Sequence, residues 1–577
     1  MRSKWNYEMK FDKDIVIAVI ICAAILFGWE PLCRYMGWIS DPVPAAAAPA
    51  NAAPDKKIAT APAAGKTAAA PAAPAENKRP AVQAKPQTAA LPAEILSNAD
   101  LSYKITPATG TVNAITLIRY KNAERTAPVV IDDGRGALAV SSTSGWTVEE
   151  TSVSRPSDLS VILVRTIRDA AGSQFKLIQK WELEKTGYAA KYSVSFANPG
   201  KEKIMLSGIT VNGGDLAPWQ IVSGDKVRIP SHRMDYMTAS GSCKDIKADK
   251  KDSGFFLNPA PVIKWVALSN KYFTSILDSD TPFQMVQSRQ YLKEGETDYY
   301  QISAGMKLGD IALAPGENKR FDFSFYSGPK IIADLDKFDP STGRVMHLAW
   351  GPLDYLARLL LWLLVKFHAL LGSYGWSIVL LTAVVRLVFY PLTARGNTSM
   401  RKMQIVQPQL KAIREKYKDN PQLMNTKMME LYRKEGVNPF GGCLPILLQI
   451  PVFFALYATL DGAVELRQVS FLWCKDLAAA DTVATIPLYF FSLPINPLVL
   501  AMTALMVVQQ HMTPMSMDPM QKKMMALMPV IMLFMLYDLP SGLTLYWTVS
   551  NFFSIIQLKL QQRARNSLNA PETAGAK

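Results

Sequence analysis

Nothing in this chain of 577 residues is spaced to hold a metal or to move a phosphate. Its four histidines (His232, His347, His368, His511) lie far apart, and none belongs to an HExxH pattern. The five cysteines (Cys22, Cys33, Cys243, Cys443, Cys474) are scattered without a CxxC, which argues against a metal ribbon and against a fold built on disulfides. No G-x-x-x-x-G-K-[ST] run exists. Gly65-Lys66-Thr67 sits in an Ala/Pro stretch and lacks the earlier glycine. No nucleotide-driven motor, no metal and no cofactor are therefore expected. No acid pair or nucleophile–base arrangement stands out either, so the chain is not expected to be an enzyme. The net charge of +15 is the kind that suggests nucleic acid. Here the basic residues cluster beside apolar stretches, where they orient a chain in a membrane, and no nucleic-acid binding of its own is expected.

What is present is hydropathy concentrated in blocks, the mark of a membrane protein with a large soluble part. Residues 1–30 hold one apolar segment, Ile15–Trp29, after a short basic-leaning start. The bulky Trp29-Glu30-Pro31-Leu32 that follows disfavours cleavage, so an uncleaved signal anchor is predicted. Residues 31–95, and 41–95 above all, are rich in Ala and Pro, cannot bury a core, and read as a linker. Residues 96–340 read as all-β. Period-2 alternation recurs at 175–184, 188–197 and 320–326, with Phe321, Phe323 and Phe325 on one face and turn residues between the runs. A β-sandwich is the expected closure. Asp132-Asp133 before Gly134 reads as a turn rather than a paired-acid site.

Residues 350–372 are apolar but interrupted by Asp354, Arg358, Lys366 and His368, with Asp354 and Arg358 spaced to pair on a helix. An amphipathic helix lying in the membrane interface is predicted, with Gly372 and Gly375 turning the chain inward. Five spans follow, Trp376–Thr393, Cys443–Leu460, Ile495–His511, Met524–Leu539 and Gly542–Leu558, within residues 374–560. With the anchor they make six. Residues 395–439 carry ten Lys/Arg against four acids, whereas 463–485 carry only Arg467 and Lys475 against Glu465, Asp476 and Asp481. Lys522, Lys523 and the short basic tail at 561–577 continue the alternation. The positive-inside rule then puts both termini in the cytoplasm and the β domain outside. The expected fold class is a polytopic α-helical membrane protein of six transmembrane helices with a large β-sandwich domain.

The cytoplasmic loop should form a helical hairpin over 396–438, broken by Asp419-Asn420-Pro421 and ended by Gly436. Met400, Met403, Met424 and Met428 mark it, and Met515 and Met520 mark the next cytoplasmic turn. Flexible Met side chains suit promiscuous apolar recognition as well as core filling.

Arg386 is the one charged side chain set deep in these five spans. An Arg at that depth costs about 2.5–3.5 kcal/mol on insertion scales and about 10–17 in simulations, so it is a functional candidate by default. Arg does not lose its proton, which makes it a poor relay and a good fixed charge for an anionic or polar group. On a helix Thr382, Arg386, Tyr390 and Thr393 lie at i, i+4, i+8 and i+11, one polar stripe. Gln449, Thr503, Gln509-Gln510, Thr544, Thr548 and Asn551 offer polar groups on other spans, either lining a groove or bonding helix to helix.

Three motifs in order, Arg386-Leu387-Val388-Phe389-Tyr390-Pro391-Leu392-Thr393, Val437-Asn438-Pro439-Phe440-Gly441-Gly442-Cys443-Leu444-Pro445 and Pro540-Ser541-Gly542-Leu543-Thr544-Leu545-Tyr546-Trp547-Thr548-Val549-Ser550-Asn551, resemble the YidC-type membrane protein insertases. The likeness covers about 350–560 on motif and the remainder on the architecture of the Gram-negative form. It implies an inner-membrane insertase and chaperone with a hydrophilic groove closed outward. Residues Arg386, Thr382, Tyr546 and Trp547 would match the groove positions, although Trp547 replaces a commoner Tyr. The hairpin would receive substrate. The implied partners are nascent membrane proteins, the Sec translocon, ribosome–nascent chain complexes and the lipid bilayer. A secondary transporter of a small anion with Arg386 as ligand is the alternative, but no internal repeat supports it.

Overall fold

The computed structural model describes residues 91–216, 233–247, 259–294, 297–437, 444–487, 492–512 and 519–568. The anchor segment Ile15–Trp29, the linker up to residue 90, Met515 and the tail beyond 568 lie outside the described residues. The described chain falls into two units, one ending at Gly328 and one starting at Pro329.

In the first unit every regular element among the described residues is a strand. Strands Gln174–Leu183, Ala189–Ala197 and Asn318–Pro329 lie side by side, with Ala197 facing Lys176 on one side and Asn318 on the other. They match the alternating runs in the sequence to within a few residues. Gln174–Leu183 buries Phe175, Leu177, Gln179, Trp181 and Leu183, each second residue. Phe321, Phe323 and Phe325 do share a face, with ring centroids 6.2 Å from Phe196, 6.1 Å from Tyr192 and 6.4 Å from Tyr103 respectively.

Tyr103 belongs to a separate four-stranded sheet, so the unit has two facing layers of unequal size, four strands against twelve. A buried polar tie reinforces the aromatic contact. The Arg165 guanidinium donates to the Thr109 carbonyl at 2.7 Å and to Gln179 Oε1 at 2.6 Å, and Gln179 donates to the Gly110 carbonyl at 2.9 Å. Gly110 sits at φ +65° where an added Cβ would meet that guanidinium. Asp132 and Asp133 correct the sequence reading. They lie inside strand Pro128–Ala137, opposite Ile115 and Ala114, at an irregularity in the ladder rather than in a turn.

The second unit is helical. It begins with α1 (Ile332–Phe338), a short 3₁₀ turn (Thr342–Val345) and α2 (Pro352–Leu371). The foreseen Asp354–Arg358 pair forms at 2.6 Å. It does more than decorate the helix surface. Asp354 accepts the backbone N–H groups of Leu348 and Ala349, and Arg358 donates to the carbonyls of Gly343 and Met346. The pair therefore pins the entry of α2 to the segment before it. The helix is amphipathic as expected: Ala357, Leu360, Leu361 and Leu364 are buried, while Tyr355, Leu359, Trp362 and Leu370 form an exposed apolar stripe. Gly372 ends it in the left-handed region, φ +66°, with its N–H on the His368 carbonyl.

Seven further helices follow among the described residues: α3 (Tyr374–Val388) running into α4 (Tyr390–Lys416), then α5 (Pro421–Lys434), α6 (Leu444–Gly462), α7 (Pro497–Met512), α8 (Pro519–Met535) and α9 (Ser541–Leu568), of which α3, α6, α7, α8 and α9 overlap the five sequence-drawn spans. Among the described residues no single helix is long and apolar enough to cross a membrane. The pair Tyr374–Val388 and Tyr390–Gly396, bent by 58°, passes by length and composition. The break has a chemical cause. Pro391 has no N–H to offer the Leu387 carbonyl and its ring crowds that carbonyl. The fourth sequence span, drawn to Leu539, overreached: α8 stops at Met535, so Asp538 lies exposed in the turn beyond it.

Helices α4 and α5 form the expected hairpin. The Asn420 side chain caps α5 by accepting the Leu423 N–H at 3.1 Å, with Pro421 at the first helical position. Val406, Leu410, Leu431 and Val437 make its small core.

The segment 463–483 is folded into the same bundle core as the helices. Leu466, Phe471, Cys474 and Leu477 are buried among Ile378, Leu456, Leu498 and Leu543. Gly375 makes room for the Phe471 ring, which an added Cβ would strike. Asp481 accepts the Leu498 N–H at 2.6 Å at the start of α7 and the Trp473 indole N–H at 3.1 Å. Ser541, at the start of α9, donates its hydroxyl to the Asp476 carbonyl. One end of the bundle is thus stoppered by its own chain. The antiparallel strands Ala484–Pro487 and Ser492–Ile495 that follow were not foreseen.

Candidate functional site

Arg386 occupies the last turn of α3, just before the Pro-induced bend. Its guanidinium reaches α9, where the Ser550 hydroxyl accepts from Nε at 2.9 Å and also from Nη2. Ser550 itself is fully buried. Nη1 makes no bond to the described protein and is not sealed from solvent. Among the described residues no carboxylate pairs with this charge, in contrast to Arg358, which has its own aspartate.

Arg386 lines a cleft of about 20 Å³, above the roughly 10–15 Å³ that one water requires. Its polar walls are Arg386, Thr393, Gln449 and Tyr546, and its apolar walls are Val385, Phe389, Leu392 and Val452. Four helices contribute. Thr393, beyond the 58° break, lines the same cleft as Arg386. Tyr546 on α9 and Gln449 on α6 face the same cleft as Arg386, and Ser550, one turn along α9 from Tyr546, holds the guanidinium.

Of the groove residues named from the sequence, Arg386, Gln449 and Tyr546 meet at this cleft. The others are placed elsewhere. Thr382 is fully buried, and its hydroxyl is spent on the Ile378 carbonyl of its own helix at 2.7 Å. Tyr390 is 48% exposed because the bend breaks the continuous stripe on which it was counted. Trp547 packs its ring on Phe453 of α6 at 4.9 Å. Asn551 is buried, on the stretch of α9 whose Thr548 hydroxyl reaches the Leu498 carbonyl of α7, and its Nδ2 has no partner. Gln509 is half-buried on α7 and does not line the cleft.

The hairpin methionines also divide. Met403 and Met428 pack against the core of the hairpin, the filler role rather than a bare binding surface. Met424 is half-buried, and Met400 and Met520 lie on helices α4 and α8. Ser550 is the residue that sequence reasoning passed over. It stood inside a quoted motif, but a lone Ser on an apolar helix carries no signal of its own.

The family model described as 60Kd inner membrane protein matches residues 366–567, and the one described as YidC periplasmic domain matches residues 96–363. The membrane protein insertase YidC of Janthinobacterium sp. (strain Marseille) is 33% identical over 569 residues, covering 94% of this chain and 97% of the relative. The membrane protein insertase YidC of Geobacter sulfurreducens (strain ATCC 51573 / DSM 12127 / PCA) is 36% identical over 372 residues, 64% of this chain and 65% of that one. A solved structure of an active YidC insertase, with its first transmembrane domain resolved, covers 82% of this chain and 93% of its own at 20% identity. Its TM-score of 0.34 is too low to weigh.

Proposed function

This chain belongs to the YidC family of membrane protein insertases, and from that premise we propose how it works: it draws the polar end of a client into the Arg386 cleft and releases the apolar part sideways into lipid. It is a membrane protein with a β-rich periplasmic domain. The finer topology is part of the proposal. Six membrane helices cross the bacterial inner membrane, both termini are cytoplasmic, and α2 lies in the outer interface with its Tyr355–Trp362–Leu370 stripe in the acyl boundary. Residues 31–95 are the tether between the anchor and the 96–340 domain.

The observation that carries the mechanism is a mid-span guanidinium whose protein partner is a neutral hydroxyl. A hydrogen bond to a charged group contributes about 1.5–3 kcal/mol. That is the size of the insertion-scale cost of the Arg, so Ser550 and a wet cleft hold the charge without a carboxylate. A carboxylate partner would cancel the positive field. A hydroxyl leaves it available to an arriving acidic or polar segment. The cleft shortens the hydrocarbon path for that segment, and the client helix then gains apolar transfer energy in lipid. No step needs nucleotide hydrolysis or a catalytic residue. The stopper at 463–483 is assigned to the periplasmic end, which keeps the cleft from becoming a channel. Clients are nascent membrane proteins, handed over from ribosome–nascent chain complexes or from the Sec translocon, with the hairpin as the receiving element.

A photo-reactive side chain tests the path of the client. Placed at Gln449 or Thr393 it should crosslink to nascent clients, and placed at Thr382, which is sealed, it should not. Equal crosslinking at all three positions contradicts the route. Removing residues 96–328 should leave most insertion intact, which separates this reading from an enzyme acting through the β domain.

A further inference from the structure

We infer that Ser550 is the positioning residue of Arg386, the group that decides which edge of the guanidinium a client meets. The inference rests on the insertase reading and adds to it a residue whose work is aiming rather than contact.

The geometry is specific. A guanidinium has five N–H donors in a rigid fork. Ser550 Oγ takes two of them, one from Nε and one from Nη2, which is the lateral edge of the fork. The other edge, with Nη1, takes no bond from the described protein, and Arg386 is one of the residues that line the cleft. Both N–H groups of that edge converge on one oxygen, which holds the edge against α9 and turns the opposite edge away from it. Ser550 is fully buried and does not line the cleft, so a client does not need to touch it. Its neighbour one turn earlier, Tyr546, lines the cleft together with Gln449. Remove the hydroxyl and the buried edge loses its acceptor. The long, flexible Arg side chain then has reason to turn that edge toward the cleft and its water, and the face offered to a client is no longer defined.

The test uses the full chain in proteoliposomes, with two clients that differ only in whether the translocated tail is acidic or neutral. Ser550→Ala should slow insertion of the acidic-tailed client about tenfold, the loss of one charge-assisted bond, and leave the neutral-tailed client within about twofold. Ser550→Thr, which keeps the hydroxyl, should restore the rate of the acidic-tailed client. In an Arg386→Ala background Ser550→Ala should add nothing. Equal slowing of both clients by Ser550→Ala, or failure of Ser550→Thr to rescue while the protein stays folded, overturns the positioning role. If Arg386→Ala itself leaves both clients unaffected, the insertase mechanism fails and not this assignment alone.

Discussion

Arg386 on α3 and Ser550 on α9, 164 residues apart in sequence, meet through a single hydroxyl oxygen that accepts two N–H groups of one guanidinium. This contact explains how a permanent charge persists in an apolar helix, and why it stays available. It also gives the first prediction. Arg386→Lys keeps the charge but cannot place two donors in one plane against Ser550. Insertion of an acidic-tailed client should fall about tenfold, one charge-assisted bond's worth, and stay above the Arg386→Ala level. Initial rates in proteoliposomes check this. A Lys variant no better than Ala would show that planar geometry, rather than charge, is the whole effect.

The notch at Gly375 is a second relationship open to test. An added Cβ would strike the Phe471 ring, and overpacking of this kind costs about 1–3 kcal/mol. Gly375→Val should lower the thermal midpoint in detergent and expose the 463–483 segment to protease. Unchanged melting and unchanged cleavage would mean that the segment is not seated as described.

The parts legible in the sequence were those with a strong local cause. Asn420-Pro421 gave the hairpin break because a capping side chain and a missing N–H act where they stand. The Asp354–Arg358 pair was readable from helix spacing, although not its further bonds to residues 343–349. Arg386 announced itself by cost. Less legible was anything that depended on a helix break or on which neighbour a face meets. Tyr390 was placed on the Arg386 stripe, and the Pro391 break removed it. Thr382 looked like a groove residue, but a threonine in a helix can satisfy itself on the preceding turn. Ser550 could be found only after α3 and α9 were seen together.

Asp481 gives a third prediction. Its carboxylate accepts the Leu498 N–H at the start of α7 and so ties the segment to the helix. Asp481→Ala should cost about 1–2 kcal/mol, the usual range for a lost cap, and Asp481→Asn much less, since an amide oxygen still accepts. Denaturation in detergent separates them. Equal loss for both would point to the charge rather than the acceptor.

A pH dependence follows from Glu465, in the short 3₁₀ turn just past α6. Burial pushes its carboxyl up to about 7, with Asp334 acting in the same direction, and its Oε2 has no partner. A folded value above the unfolded one, about 4.3, means that the folded state holds the proton more tightly. This stabilisation is fully present below about pH 4.3 and is lost as pH rises through about 7. Melting should therefore fall between pH 5 and pH 8, and Glu465→Gln, neutral throughout, should flatten part of that fall. An identical fall in the variant would place the titrating group elsewhere.

The most direct measurement of the central claim compares the two clients, acidic-tailed and neutral-tailed, in vesicles containing either the native chain or Arg386→Ala at equal protein level. The account expects Arg386→Ala to cut insertion of the acidic-tailed client at least tenfold and to leave the neutral one nearly unchanged, because only the former uses the free edge of the guanidinium. Equal loss for both clients would contradict it, and would reduce Arg386 to a strut between α3 and α9.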